Sequence, residues 1–314
     1  MKKIRVGVVG VGHLGQHHAR IYSTMEGVEL AGVSDTDPAR GEEIGVKYKT
    51  PYFKDFKDLF PLVDALSIAV PTQFHYSITQ DCLQNKKDVL LEKPMTTTVE
   101  EAQSLIETAG PNGAILQIGH IERYNRAYLS VRDKIQNPLF IENHRIGPFA
   151  SRGTDVNVIL DLMIHDIDII LSLTSSPISE IRAVGIPVLS NEIDIVNARL
   201  EFKSGCIANM TASRVSLEKM RKVRIFQHDA YISLDYQNQS VTIAKKIIEN
   251  GQSRVVVENP AVEKEEPLKL ELADFISNVR TRKPPSISGQ EGKEALRVAE
   301  EIARIALAHH KRIF

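Results

Sequence analysis

Residues 4–15 read Ile4-Arg5-Val6-Gly7-Val8-Val9-Gly10-Val11-Gly12-His13-Leu14-Gly15. From Lys2 the pattern alternates, then turns wholly apolar up to Val9, as a buried parallel strand does. It runs directly into three glycines and a helical pattern over 14–25. The glycines have separate tasks: Gly10 permits a tight turn, Gly12 lets backbone N–H groups approach a pyrophosphate, and Gly15 allows close helix–strand packing. The helix N-terminus then presents unpaired N–H groups and partial positive charge to the phosphates. A second apolar strand, Val28 to Val33, ends at Ser34-Asp35, and Asp35 lies 20 residues beyond Gly15. A carboxylate there accepts hydrogen bonds from the ribose hydroxyls of a dinucleotide. The predicted cradle is therefore Gly10, Gly12, His13, Leu14, Gly15 and Asp35. Asp35 repels a 2′-phosphate, and neither Ser34 nor Thr36 supplies a cation. Arg40 is the sole nearby arginine, so NAD is expected over NADP.

The remainder of the chain is consistent with that start. Its 314 residues imply two domains, and 42% hydrophobic with 25% charged residues is ordinary globular composition. A net charge of −1 argues against nucleic acid or an anionic membrane as partner. Cys82 and Cys206 are far apart, with no zinc-ligand spacing, and are expected to be reduced, cytoplasmic and structural. Met1-Lys2-Lys3 before apolar residues has a superficial likeness to a signal peptide. Gly7, Gly10 and Gly12 interrupt the run, and strand is the better reading. No stretch reaches bilayer-spanning length.

Strand patterns at 4–9, 28–33, 65–70, 88–91 and 114–119 alternate with helical patterns at 14–25, 38–41 onward, 75–85 and 99–108. This predicts a doubly wound parallel sheet covered by helices, over residues 1–121. From 122 to 314 the texture changes. A helical stretch at 125–135, a strand at 139–146, a polar loop at 147–155 and a long helix at 156–173 precede strand-like runs at 178–189, 194–202, 207–215, 223–227, 231–236, 241–244 and 254–257. Consecutive strands without helices imply a large, mostly antiparallel open sheet in a second α/β domain. Residues 258–266 read as a solvated loop. Closing helices at 267–280 and 290–311 could pack back on the first domain.

Val70-Pro71-Thr72, with His75 close behind, ends the third strand, and Leu90-Leu91-Glu92-Lys93-Pro94 ends the fourth. Strand carboxyl ends border the ligand crevice of such a sheet. Pro71, Thr72, His75, Glu92 and Lys93 are thus expected near the cofactor, although a proline-started turn and a surface ion pair are the plainer alternatives. A lysine there can stabilise negative charge on a substrate oxygen. In the helix at 156–173, Asp161 and His165 are four apart and share a face, with Asp168 near the same line. Its other positions are apolar almost all round, so these polar groups need partners. A satisfied internal network is one reading. A zinc site is another, but no further cluster supplies the missing ligands.

The glycine loop, Asp35, Glu92-Lys93-Pro94 and Asp161 with His165, in that order, resemble the glucose-fructose oxidoreductase/inositol dehydrogenase (Gfo/Idh/MocA) family across the whole chain. The resemblance implies a Rossmann domain followed by an open-sheet domain whose outer face commonly forms dimers, hence a homodimer or homotetramer. It also implies Lys93 and His165 as catalytic residues, Asp161 as the accompanying acid, and a Lys-Pro peptide that is often cis. Within the family, residues 119–125, 160–168 and 228–236 are most similar to nucleotide-sugar 3-dehydrogenases. That similarity implies NAD-dependent oxidation at C3 of UDP-N-acetylglucosamine to a 3-keto sugar. A downstream aminotransferase would then make the 3-amino sugar of lipid A. One departure is Thr72, near which many relatives carry Asn. A UDP-sugar needs donors for its diphosphate, and Arg123, Asn125, Arg145 and Arg152 flank the domain junction. The alternatives are a dehydrogenase of free sugars or cyclitols and a nonenzymatic dinucleotide sensor. A sensor has no need of Lys93, Asp161 and His165 together.

Overall fold

The computed structural model describes residues 2–149, 156–249 and 251–313. It divides into two compact units, residues 1–121 with 266–296 and residues 122–265 with 297–314.

The first unit is a six-stranded parallel sheet formed by β1 (Ile4–Val9), β2 (Val28–Ser34), β3 (Tyr52–Phe53), β4 (Ala65–Ile68), β5 (Asp88–Glu92) and β6 (Leu116–Gly119). Helices α1 (Gly15–Thr24), α2 (Pro38–Tyr48), α3 (His75–Gln84) and α4 (Val99–Asn112) connect the strands. The order β3-β2-β1-β4-β5-β6 reverses direction at β1, which creates the crevice where such sheets bind dinucleotides. The two-residue β3 is absent from the sequence reading, since two residues carry no periodicity. Helix starts follow the expected chemistry. Asp37 caps α2 by accepting from Ala39 and Arg40 N–H groups, and Thr98 caps α4 ahead of Glu100 and Glu101. A later helix from Pro267 to Thr281 returns to this unit, burying Leu272, Phe275, Ile276 and Val279 in one core with Val6, Val8, Ala19 and Tyr22.

The second unit begins with α5 (Arg126–Leu129) and a 3-10 turn (Arg132–Lys134), where the sequence predicts one helix over 125–135. Its sheet has eight strands in the order β14-β13-β12-β11-β7-β10-β9-β8. They are β7 (Phe140–Ile146), β8 (Ile178–Ile186), β9 (Ile195–Phe202), β10 (Ile207–Ser213), β11 (Met220–Gln227), β12 (Ala230–Asp235), β13 (Ser240–Glu249) and β14 (Gln252–Glu258). Every adjacent pair is antiparallel except β7 with β10. Period-two alternation puts Ile141, Val196, Ala198, Leu200, Ala208, Met210, Val223, Ile225, Ile232 and Leu234 on one buried face. Against it pack a π-turn (Ile159–Met163) and α6 (Ile164–Leu173). The predicted single α-helix over 156–173 is thus two pieces. Numbering the terminal helices in chain order, α7 is Pro267–Thr281 and α8 is Gly289–Ile313. Among the described residues, no helix is long and apolar enough to cross a membrane.

Candidate active site

In the first unit, the glycine loop is built as the spacing requires. Gly10 adopts φ +81°, and a Cβ on Gly15 would lie 1.8 Å from the Gly10 carbonyl oxygen. A Cβ on Gly12, by contrast, would meet only the Arg40 guanidinium, at 3.7 Å. Space therefore opens over the Gly12 backbone. His13 and Leu14 are exposed at the turn into α1. That helix has no side-chain cap and no acid in its first turn, so its N-terminal field is left for an anion. Asp35, 8% exposed, accepts the Val11 N–H through Oδ2 and the Asp37 N–H through Oδ1, each at 2.9 Å. A carboxylate has about four acceptor positions, so about two remain for a ribose diol. Arg40 stands 3.7 Å from Asp35 Oδ2 and 3.2 Å from Asp37. This combination of space, donors and acceptors fits a dinucleotide.

The strand-end loops border the same sheet edge. Pro71 is exposed, Thr72 is half-buried in a 3-10 turn, and Lys93 is half-buried at the end of β5, joined to Pro94 by a cis peptide. Two residues expected to touch the cofactor are committed elsewhere. His75 is 1% exposed, with ring nitrogens 2.8 Å from the Pro94 carbonyl and 2.9 Å from the Val70 carbonyl. It ties two loops together, and burial lowers its pKa despite those carbonyls. Glu92, 8% exposed, accepts from His18 Nε2 at 3.0 Å, and its carboxyl would lie 3.1 Å from a Cβ on Gly119. Burial pushes the Glu92 carboxyl up, but the His18 bond and the charges of His18 and Lys93 outweigh it and hold the pKa below its ordinary value. Both residues flank the Lys93-Pro94 segment and bond to the protein around it. His18 was not legible as a support because its partner is 74 positions away.

In the second unit, Asp161 lies within the π-turn and His165 at the start of α6, both half-buried. Asn157 starts the turn, its Oδ1 accepting from the N–H groups of Ile159 and Leu160 at 3.1 Å each. Wider i→i+5 bonding winds less per residue, so Asp161 and His165 are offset from the one-turn α alignment that their spacing predicts. π-turns occur frequently at functional sites. The entry to this segment is fixed by a buried pair that the sequence did not mark. Arg214 donates to Asp194 through Nε at 2.7 Å and to the Val156 carbonyl through Nη1 at 2.7 Å. Asp194 also accepts from the N–H groups of Val188, Leu189 and Ser190 and from the Ser190 hydroxyl. Burial raises its pKa, but these donors outweigh that and hold it well below the usual carboxylate range.

The predicted diphosphate donors that are described have protein partners. Arg145 is 3% exposed and spends its guanidinium on Asp166 and Glu122, at 2.8 and 2.9 Å. Burial alone lowers the Arg145 pKa, but the two acids outweigh it and lift it beyond its already high value. Arg123 forms a two-pronged pair with Asp168, both bonds at 2.7 Å. Asn125 is 3% exposed, caps α5 at the Ala127 N–H and donates to the Tyr236 carbonyl. Unpaired cations are costly in an apolar layer, and the Arg123 and Arg145 guanidinium groups are paired with acids of their own unit. Arg152 lies outside the described residues. Among the described residues, no group of three or more His, Cys, Asp or Glu could hold a metal ion.

A parallel sheet with this cradle, joined to an open-sheet unit, defines a dinucleotide-dependent oxidoreductase with a separate second domain. The chain belongs to the GFO/IDH/MocA family: residues 4–120 match its oxidoreductase NAD-binding Rossmann fold, and residues 127–233 match its C-terminal domain. It is 35% identical over 310 residues to the UDP-N-acetylglucosamine 3-dehydrogenase of Acidithiobacillus ferrooxidans, covering 98% of each chain. The solved structure of that enzyme, GnnA, superposes with a TM-score of 0.92 at 34% identity, covering 98% of this chain and 99% of that one. The myo-inositol 2-dehydrogenase of Thermotoga maritima is 26% identical, covering 93% of each chain.

Proposed function

We propose that this protein oxidises C3 of a UDP-linked N-acetylglucosamine, with NAD as the oxidant, to the 3-keto nucleotide sugar. The observation that carries this is 35% identity spanning 98% of both chains with an enzyme of that name. The presence of Lys93, Asp161 and His165 supports it. Bound NAD supplies the hydride acceptor. His165 takes the proton from the substrate hydroxyl oxygen as the adjacent C–H bond breaks, because an imidazole is both available and basic enough near neutral pH. Asp161 offers the negative charge that steadies the protonated ring. Lys93 donates to the same substrate oxygen and stabilises the negative charge developing there. Gly10, Gly12 and Gly15 hold the pyrophosphate and Asp35 the ribose. The Asp35 charge selects NAD over the 2′-phosphorylated form.

The ketone product suits an aminotransferase as its consumer. The outer face of the second sheet supports a homodimer. Across neighbouring strands, Ile207, Phe140, Phe226, Tyr231, Ala244 and Val257 stand opposite one another in a single apolar row. Phe226→Asp is expected to shift the mass measured by light scattering towards the monomer.

The test is NADH absorbance with NAD and UDP-N-acetylglucosamine, using an aminotransferase to pull the equilibrium, run beside a panel of UDP-sugars, free sugars and inositols. Turnover of UDP-sugars alone supports the proposal. Preference for inositols would instead favour the cyclitol reading suggested by the 26% identical Thermotoga relative.

A further inference from the structure

Arg221 lies on β11, directly opposite Arg145 on β7. The strand's alternation fixes which way it faces. Val223 and Ile225 are buried on the layer beneath α6, whereas Lys222 and Arg224 pair with Asp235 and Glu142. Arg221 therefore shares the inner face with the buried Arg145–Asp166–Glu122 network. Two guanidinium groups facing each other across strands repel, and the two acids that could separate them both bond directly to Arg145. Arg221 is partly buried, and among the described residues its guanidinium has no hydrogen-bond or ion-pair acceptor. Among the described residues, the other partly buried arginines of this unit do: Arg123 with Asp168, Arg126 with Glu265, Arg199 with Glu201, and Arg224 with Glu142.

A guanidinium has five N–H donors in a planar fork that matches phosphate and carboxylate geometry. None of its nitrogens is sealed from solvent, so an arriving anion can use the fork without displacing a protein partner. Its neighbourhood is the candidate chemistry itself. Burial is the largest influence on Arg221 and lowers its pKa, Arg145 lowers it further, and Glu122, Asp166 and Asp161 act in the opposite sense. Arg221 is thus within electrostatic reach of the acid in the π-turn.

We propose that Arg221 is an anion-binding residue of the second unit, gripping phosphoryl oxygens of the nucleotide-sugar substrate. This rests on the proposed function and deepens it, since it assigns the diphosphate an arginine that, unlike Arg123 and Arg145, is not paired with an acid. A neutral cyclitol has no group to use such a fork. A uronic acid carboxylate presents the same chemistry, and the test separates the two sources.

The experiment is calorimetric titration of the NAD-loaded protein with UDP, with glucuronate and with N-acetylglucosamine, on wild type, Arg221→Met, Arg221→Lys and the opposite-face control Arg224→Met. The expected result is UDP binding weakened by about 10- to 100-fold in Arg221→Met, as for a lost charge-assisted contact. NAD affinity should be retained, and Arg224→Met should match wild type. Arg221→Lys keeps the charge beside Glu122 and Asp166 and so guards against misfolding. It should still lose several-fold in UDP affinity, because a point charge replaces a fork. Glucuronate binding that depends on Arg221, without UDP binding, keeps the anion site and removes the nucleotide reading. Unchanged UDP affinity in either Arg221 variant overturns the proposal. So does equal loss of UDP and NAD binding, the mark of a residue that only balances the Glu122 and Asp166 charges.

Discussion

Replacing Gly12 and Gly15 separately with alanine should divide binding from folding. A Cβ at position 12 would meet only the tip of Arg40, at 3.7 Å, an ordinary contact with a flexible group. Gly12→Ala should therefore fold with a stability within about 0.5 kcal/mol of wild type, or slightly above it through reduced chain entropy. The methyl would, however, stand where a pyrophosphate must approach the backbone. Losing one charge-assisted N–H contact costs about 1.5–3 kcal/mol, a rise in the NAD dissociation constant of roughly 10- to 150-fold. At position 15 the Cβ would be 1.8 Å from the Gly10 carbonyl oxygen, so strand and helix would have to separate by roughly 1.5 Å. Such overpacking costs about 1–3 kcal/mol, and Gly15→Ala should lose stability as well as NAD affinity. Urea unfolding followed by circular dichroism measures the first quantity and calorimetric titration with NAD the second. Wild-type NAD affinity in Gly12→Ala would refute the placement of the pyrophosphate over this loop.

Three further outcomes are expected. Lys93→Ala and His165→Ala should each lower kcat by about 100-fold or more while leaving the unfolding curve in place, and near-normal turnover in either would remove that residue from the mechanism. Asp35→Asn should narrow the preference for NAD over NADP measured as a ratio of dissociation constants, because the charge repelling a 2′-phosphate is gone; the single amide oxygen can serve only one of the Val11 and Asp37 N–H groups, so some stability is lost with it. Asp194→Ala strands the buried Arg214 guanidinium and should destabilise the second unit by about 3–5 kcal/mol in urea unfolding. The Asp194 pKa is depressed in the folded state, so its stabilisation is complete above the unfolded value of about 3.9 and is lost as pH falls below it towards the folded value. Wild type should weaken steeply in that acid range, and Asp194→Asn should flatten the slope.

What could be anticipated from residue order was whatever neighbours along the chain decide. The strand ending at Val9, the turn at Gly10 and the helix opening at Gly15 form one local unit, so the dinucleotide cradle was legible at once. Strand–helix alternation likewise gave a parallel sheet, and the change of texture after Gly119 gave an antiparallel one. The π-turn was not legible, because identical residues at four-residue spacing serve an α-helix equally well until Asn157 fixes the starting geometry.

Charged side chains show where tertiary structure alone decides. Arg145 and Arg221 carry the same functional group on adjacent strands, yet one is paired with Glu122 and Asp166 and the other has no acceptor among the described residues. Their sequence surroundings do not distinguish them. Backbone shape is set mainly by sterics and hydrophobic period, which act over a few residues and are written into the sequence. Whether a buried charge supports the fold or is held ready for a ligand depends on partners tens of positions away, and only the folded chain brings those within hydrogen-bonding distance.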